Sequence, residues 1–278
     1  MNLYISCDME GTAGVCSWDQ VDARNYTPEY FIYQRHMTAE VNAAIAGARE
    51  AGAQDVFVND SHGPMRNLLL DELPADVRVL FGNRKPLSMV QGLNDTFAGV
   101  FFTGYHGAIG DMNAVLAHTY TPSVIYNARI NGVTCSEATV NAGLAGFYGV
   151  PVLLITGDRA TVESAQAQMP WVRGVVVKES IGNYSADSLS PQAAQALIRE
   201  AAAQAVREAA HAQPYVFKPP VALELDLSRV EQADFVELIP GFSRTGPRSV
   251  AFTHDDYPTV FRAFVAAFRM GGVAAMPA

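Results

Sequence analysis

The fold is decided by the segment Tyr4–Gly11, which reads YISCDMEG and forms an apolar strand that ends in two acids. Two later segments repeat this plan with a histidine at the end of the strand. They are Asp55–His62, with the sequence DVFVNDSH, and Gly99–His106, with the sequence GVFFTGYH. Side chains alternate between the faces of a strand, so Asp8 and Glu10 point the same way, about 7 Å apart.

The segments between these strands favour a parallel arrangement. A stretch from about Thr38 to Ala51, rich in alanine, predicts a helix with Thr38 as its N-cap. A strand-helix-strand unit almost always crosses over to a parallel neighbour, and the carboxyl ends of parallel strands meet at one edge of the sheet. Carboxylates and imidazoles at such an edge suit a divalent metal. The candidate ligands are Asp8, Glu10, His62 and His106.

The composition limits the classes of function. The chain has 278 residues, of which 49% are hydrophobic and 17% charged, which suits one large globular domain or two ordinary ones. The formal net charge is −9. Affinity for nucleic acid comes mostly from basic patches, so we expect no nucleic-acid partner.

Cysteine usage and hydropathy predict the compartment. The chain has three cysteines, an odd number without a C-x-x-C pair, which fits neither a disulfide framework nor a thiolate zinc site. No basic segment with a long apolar core precedes Asp8, and the longest apolar runs have the length of strands. We therefore expect no signal peptide, no membrane span and a cytoplasmic location.

The pattern along the chain predicts an α/β fold, a three-layer sandwich with a largely parallel sheet. Two apolar runs, Val150–Thr156 and Gly174–Lys178, do not alternate with polar residues, which is typical of strands buried on both faces. The composition changes near Leu189, where an alanine-rich helix begins, and a later apolar run at Phe235–Leu238 predicts a further strand.

This change predicts two domains. We expect a metal-binding catalytic α/β domain over residues 1–189 and a smaller C-terminal α+β domain over residues 190–278. The second domain would serve packing, oligomerisation or covering of the site.

Each candidate ligand also has a structural interpretation. Two acids at the end of a strand can be solvated where the chain leaves the sheet, although burying them is costly unless a cation compensates. A single histidine after a strand is usually a hydrogen-bonded structural residue. Two histidines at equivalent points of one sheet, beside acids at a third, favour a metal site.

Three motifs resemble the D-aminopeptidase family of the bacterial dipeptide-transport operon, the DppA-type zinc peptidases. They are SCDMEG at 6–11, VNDSH at 58–62 and GYH at 104–106. The likeness runs from the first strand to about Asp158 and more weakly through the C-terminal region. It implies two zinc ions per chain, bridged by Asp8. The other ligands that it implies are Glu10, His62, His106 and Glu137.

Two of the implied site residues have alternatives. Glu137 enters only through the resemblance, because a glutamate in the first turn of a helix more often complements the helix dipole. His118 matches, by its order along the chain, a histidine that the family treats as catalytic; the alternative is a surface or supporting histidine. As a catalytic group it would stabilise the oxyanion or transfer a proton to the leaving amine.

Two polar residues at the end of the second strand are expected to support the site. Asp60 and Ser61 would orient His62 or cap the loop that follows it. Asp158 stands where the family tends to show a paired acid, but Arg159 follows it here, and its role is left open.

The resemblance implies an aminopeptidase that hydrolyses short peptides with an N-terminal D-amino acid, such as D-Ala, through a metal-activated water. Zinc lowers the pKa of such a water from about 15.7 toward about 7. The preference for D-amino acids comes only from the resemblance, which also implies a homo-oligomer, a decamer that encloses the active sites. The alternatives are another dinuclear metal hydrolase, an amidase or a phosphoesterase, and a non-catalytic metal-binding assembly protein.

Overall fold

The computed structural model describes residues 1–24 and 27–274. The strands are β1 (Leu3–Cys7), β2 (Val56–Asp60), β3 (Arg78–Leu80), β4 (Gly99–Tyr105), β5 (Ile125–Ile130), β6 (Val133–Thr134), β7 (Val152–Asp158), β8 (Arg173–Gly182), β9 (Ser185–Ser188), β10 (Val221–Leu227), β11 (Ser243–Gly246) and β12 (Ser249–His254). The α-helices are α1 (Pro28–Glu50), α2 (Glu137–Phe147), α3 (Arg159–Gln168), α4 (Pro191–Arg207), α5 (Val230–Val236) and α6 (Tyr257–Ala274).

The first sheet contains the strands that carry the candidate ligands. Its order is β3-β2-β1-β4-β7-β8-β9, and neighbours are parallel except for the pair β8 and β9. In β1, Cys7 lies opposite Asp60 of β2 and Thr103 of β4, so these three strands end at the same edge. The predicted α/β fold with a largely parallel sheet is confirmed.

Two apolar cores cover the two faces of this sheet. Leu3 and Ile5 of β1 pack in one core with residues of α1 and α4, including Val41. Tyr4, which points to the opposite face, packs in the other core with residues of α2, α6 and the second sheet, including Leu144. Alternation along a strand therefore supplies both cores.

The second sheet is antiparallel, with the order β11-β12-β10-β5-β6. Two of its strands, β5 and β6, precede residue 189, and three follow it. Helix α4 also follows residue 189 but packs against α1, β7 and β8. The division of the chain into domains at residue 189 stays a prediction.

The predicted start of the first helix was wrong. Helix α1 begins at Pro28, and the hydroxyl of Thr27 accepts a hydrogen bond from Tyr30 N at 3.1 Å. Thr38 lies inside the helix, buried, and its hydroxyl donates to Gln34 O at 2.8 Å. A threonine hydroxyl can bond to the carbonyl four residues earlier, so its presence does not mark a helix start.

The predicted strand at Phe235–Leu238 was also wrong, because helix α5 covers Val230–Val236. Ala233 and Val236 are both buried, at the spacing of one helical turn. An apolar run of four residues is too short for its period to separate strand from helix. Within the described ranges, none of the helices has the length and apolarity needed to cross a bilayer.

Candidate metal centre

Polar side chains from four elements meet at the carboxyl edge of the first sheet. Asp8 and Glu10 follow β1, His62 follows β2, His106 follows β4, His118 lies in the loop beyond β4, and Glu137 is the first residue of α2. None of them is more than 6% exposed. We call this group the metal cluster, and it consists of Asp8, Glu10, His62, His106, His118 and Glu137.

Asp8 lies between two imidazoles. Its Oδ1 is 3.1 Å from His62 Nδ1, and its Oδ2 is 3.5 Å from His106 Nε2. Each imidazole has a further carboxylate partner, with His62 Nδ1 at 2.8 Å from Glu10 Oε2 and His106 Nε2 at 3.3 Å from Glu137 Oε1. Asp8 therefore offers one oxygen to each of two carboxylate-imidazole pairs.

His118, in the loop beyond β4, contacts the same carboxylates. Its Nε2 lies 3.9 Å from Glu10 Oε1 and 3.7 Å from Glu137 Oε1. Its ring stacks on His106, with centroids 3.9 Å apart, and the edge of Trp18 packs against it at 5.2 Å. Trp18 was not predicted as a site residue, because no sequence pattern connects it to His118.

Every imidazole of the cluster has one nitrogen bound to a backbone carbonyl. His62 Nε2 is 2.7 Å from Val21 O, His106 Nδ1 is 3.0 Å from Gly107 O, and His118 Nδ1 is 2.8 Å from Leu116 O. A carbonyl only accepts, so these nitrogens carry the protons. In a neutral ring the remaining nitrogen then presents its lone pair to the carboxylates, which is the arrangement of histidine in metal sites.

Two polar atoms of the cluster have no hydrogen-bond partner among residues 1–24 and 27–274, and they are Asp8 Oδ2 and His106 Nε2. Leaving such a buried atom unsatisfied costs about 1–3 kcal/mol. Two ligands on a tetrahedral zinc, with bonds of about 2.0–2.2 Å, lie about 3.3–3.5 Å apart. Asp8 Oδ2 and His106 Nε2 show this spacing at 3.5 Å, so the donor set fits a divalent metal.

The pKa values of the three carboxyl groups shift in different directions. Burial raises the pKa of Asp8 to about 7, and the nearby charge of Glu10 adds to the shift. Burial alone would also raise the pKa of Glu10, but the imidazole of His62 overrides it and holds this pKa well below its usual value. For Glu137 the imidazole of His106 likewise overrides burial and lowers the pKa.

The pKa values of the three imidazoles also shift in different directions. Burial would lower the pKa of His106, but Glu137 raises it to about 10. Burial is likewise overcome at His62, where Glu10 raises the pKa well above its usual value. The pKa of His118 is lowered by burial and by the charge of His106. Protons thus sit between carboxylates and imidazoles where a divalent ion would replace them.

A buried lysine that was not predicted holds the loop that carries Glu10. Lys178, at 2% exposed, donates hydrogen bonds to the carbonyl of Glu10, to Thr12 O at 3.0 Å and to Val15 O at 2.7 Å. Burial lowers its pKa to about 8. The available signal was a lysine closing a buried apolar run, where an unpaired charge is costly.

Gly11 allows the same loop to cross the neighbouring strand. A Cβ at this position would lie 1.8 Å from Tyr105 O, so only glycine fits. Its backbone N donates to Gly104 O at 2.8 Å.

The supporting acids hold loops, and within the described ranges neither hydrogen-bonds to an imidazole. Asp60 accepts from Asn67 N at 2.6 Å and from Leu68 N at 2.8 Å, so of its two predicted roles it takes that of capping a loop. Asp158 caps helix α3 and accepts from Val115 N at 2.8 Å. This bond supports the loop that leads to His118.

Ser61 also serves the backbone. Its hydroxyl lies 2.8 Å from that of Ser6 and donates to Met89 O at 3.0 Å, which joins the end of β2 to β1 and to the turn at Met89. Ser61 therefore supports the strand ends that the ligands follow.

A cavity of about 650 Å³ opens beside the cluster, a size that suits a small ligand. Asp8, Glu10, His62, His118 and Glu137 form one part of its wall. The rest of the wall includes Trp18, Met65, Asn83, Met89, Tyr120, Phe268 and Arg269.

Comparisons with known proteins agree with this geometry. A model of the D-aminopeptidase family matches residues 1–266. The D-aminopeptidase of Bacillus subtilis (strain 168) is 35% identical over 271 residues, which cover 95% of this chain and 96% of that protein. The solved structure of the Zn-dependent D-aminopeptidase DppA from Bacillus subtilis, described as a self-compartmentalizing protease, matches with a TM-score of 0.94, 31% identity and 100% coverage of both chains.

Proposed function

The chain belongs to the D-aminopeptidase family and is a zinc-dependent D-aminopeptidase, and from this premise we propose how its metal cluster works on short peptides. One observation carries the proposal: three buried imidazoles, each bound to a carbonyl by one nitrogen, aim the other at buried carboxylates. Such a group is complete only with a cation.

The proposed occupant is a pair of zinc ions bridged by Asp8. The distances support one ion held by Glu10 and His62 and another held by His106 and Glu137, because each imidazole nitrogen lies within 3.3 Å of its carboxylate. Asp8 offers an oxygen to each pair. Bound zinc would supply a Lewis acid for the scissile carbonyl and an activated water.

His118 is the proposed proton carrier. Burial and His106 lower its pKa, so the ring is neutral at pH 7 and can accept a proton. Its Nδ1–H is committed to Leu116 O, which leaves Nε2 as a lone pair facing Glu10 and Glu137. A neutral ring in this tautomer has no N–H free for an oxyanion. We therefore place His118 as the group that passes a proton from water to the leaving amine.

The assembly proposed for the protein is a cytoplasmic homo-oligomer, a decamer, with residues 190–278 contributing to packing or oligomerisation. The support is the Bacillus subtilis structure described as self-compartmentalizing and the free state of Cys7, Cys16 and Cys135, which suits a reducing compartment. An enclosed assembly restricts access to short peptides. Native mass measurement gives its size.

The test combines metal analysis with a substrate panel. The purified protein should hold about two zinc ions per chain and should cleave D-Ala peptides faster than L-Ala peptides or a phosphodiester. Asp8→Asn should lose zinc and lose more activity than the roughly 10- to 100-fold drop typical of changes outside the ligand set. Asp187→Asn, an exposed acid in β9, is the matched control.

The two halves of this proposal fail in different ways. A zinc-loaded protein that cleaves no D-amino-terminal peptide contradicts the substrate class. An Asp8→Asn variant with unchanged zinc content and rate contradicts the bridging role of Asp8.

A further inference from the structure

The wall of the cavity contains a cation that the mechanism above does not use. Arg269, near the end of α6, lines the cavity together with Asn83. Its Nη2 donates to Asn83 Oδ1 at 3.0 Å, and its guanidinium lies 5.2 Å from the ring centroid of Phe268. Among the described residues, no carboxylate lies within 4.0 Å of this guanidinium.

The protein has 28 acidic and 19 basic residues, and Arg269 is one of several arginines that form no ion pair within the described ranges. Arg269 differs from most of these because it lines the cavity. Arg24, which lines the same cavity, is paired with Asp22 at 2.7 Å. Arg269 is exposed at the wall of the cavity, and partial burial together with the charge of Arg84 lowers its pKa. Like charges repel, so this part of the wall is suited to an anion.

The wall of the cavity therefore has two chemically different parts. The metal cluster is suited to the reacting amide and the peptide's amino terminus. Arg269, which lines the same cavity, hydrogen-bonds to Asn83 and lies over the ring of Phe268. A guanidinium binds a carboxylate through two parallel hydrogen bonds, and holding it in place beforehand reduces the entropy lost on binding.

We propose that Arg269 binds the C-terminal carboxylate of short peptide substrates and so selects them by length and by a free C-terminus. This inference rests on the proposed function, in which the peptide's other end lies at the metal cluster. A cavity of about 650 Å³ has room for a peptide of a few residues. Arg269 is thus a specificity residue and takes no part in bond breaking.

The experiment uses zinc-loaded full-length protein and matched peptide pairs. D-Ala-Gly and D-Ala-Gly-Gly are compared with their C-terminal amides, which lack only the carboxylate charge. For whichever of the two peptides is the better substrate, the wild type should cleave the free acid with a kcat/KM about 10-fold or more above that of the amide. This is the effect expected for a charged hydrogen-bonded pair. The preference should lie in KM.

Substitutions assign this preference to the side chain. Arg269→Met should bring the ratio of acid to amide close to one, and Arg269→Lys should keep part of it, because the charge remains but the planar fork is lost. Arg262→Met is the control, since Arg262 is an arginine on the same helix, exposed like Arg269, but is outside the cavity wall. It should keep the wild-type ratio. Thermal unfolding establishes that each variant is folded.

Two results overturn the inference. One is a wild type that cleaves acids and amides equally well. The other is an Arg269→Met variant that retains the wild-type ratio, as it would if Arg269 only held Asn83. A wild type that cleaves neither acids nor amides would instead contradict the proposed function, so the two failures are distinguishable.

Discussion

Two regions of the molecule differ in whether the charged side chains on or near their strands are exposed to solvent or buried. On the second sheet, Arg129 of β5 pairs with Glu224 and Asp226 of β10, each at 2.9 Å, and all three side chains retain contact with solvent. In the metal cluster, Asp8 and Glu10 are buried, and imidazoles are the cationic partners within 4.0 Å among the residues that the structure describes. On the second sheet the chain supplies a permanent guanidinium cation, whereas in the metal cluster it supplies only imidazoles, whose protons a divalent ion would replace.

The energies of the two regions differ accordingly. Exposed ion pairs contribute about 0–1 kcal/mol, because water screens the charges and two side chains must be held in place. A buried charge without a partner costs several kcal/mol. The second sheet therefore tolerates changes of charge that the metal cluster does not.

The largest expected effect is on the stabilisation of the protein by zinc. Zinc at about 1,000 times its dissociation constant should raise the free energy of unfolding by about 4 kcal/mol. Glu137→Gln, which keeps the shape of a proposed ligand but removes its charge, should reduce this gain. Urea unfolding with zinc and with a chelator measures it.

Glu224→Gln is the control for this prediction, because Glu224 belongs to the solvated ion pairs of the second sheet. It should leave the gain from zinc unchanged. Equal gains in the wild type and in Glu137→Gln would remove Glu137 from the ligand set.

The next effect concerns Glu40 of α1, a buried acid outside the metal cluster. Its Oε1 accepts from Ala13 N at 2.9 Å, and burial raises its pKa from the ordinary value of 4.5 to about 7. The folded state therefore binds this proton more tightly than the unfolded state. Its contribution to stability is full below pH 4.5 and declines as the pH rises to about 7, by about 3 kcal/mol.

Glu40→Gln keeps an acceptor for Ala13 N and removes this decline. Relative to the wild type, the variant should gain stability between pH 5 and pH 8, as measured by urea unfolding at a fixed zinc concentration. Glu200→Gln, on the exposed face of α4, should show no such gain. A parallel pH dependence in Glu40→Gln and the wild type would contradict the assignment.

The smallest effect is expected on the second sheet. Arg129→Met should lower the free energy of unfolding by less than about 1 kcal/mol, with a smaller loss at high salt. The rate of peptide hydrolysis should stay at the wild-type value. A loss of zinc or of activity in this variant would show that the two regions are coupled and would weaken the contrast between them.

Much of the site could be predicted because its residues follow strands. The ends of three parallel strands must lie at one edge, so the placement of Asp8, His62 and His106 required only the pattern of apolar runs. Glu137 and His118 could be predicted only from the family resemblance. They lie at a helix start and in a loop, and the strand pattern does not fix where such residues lie relative to the sheet. Thr38 misled the prediction of α1, since its hydroxyl bonds within the helix.

The sequence by itself determined the parallel sheet and the group of acids and imidazoles at its edge, because alternation and apolar runs are local properties of the chain. Only the tertiary structure decided which nitrogen of each imidazole faces the carboxylates, since carbonyls from distant or irregular backbone set the tautomers. It also decided that Lys178 holds the loop after β1 and that Arg269 lines the cavity. The contacts of Lys178 with Glu10 and of Arg269 with Asn83 join residues far apart in sequence, and no local pattern specifies them.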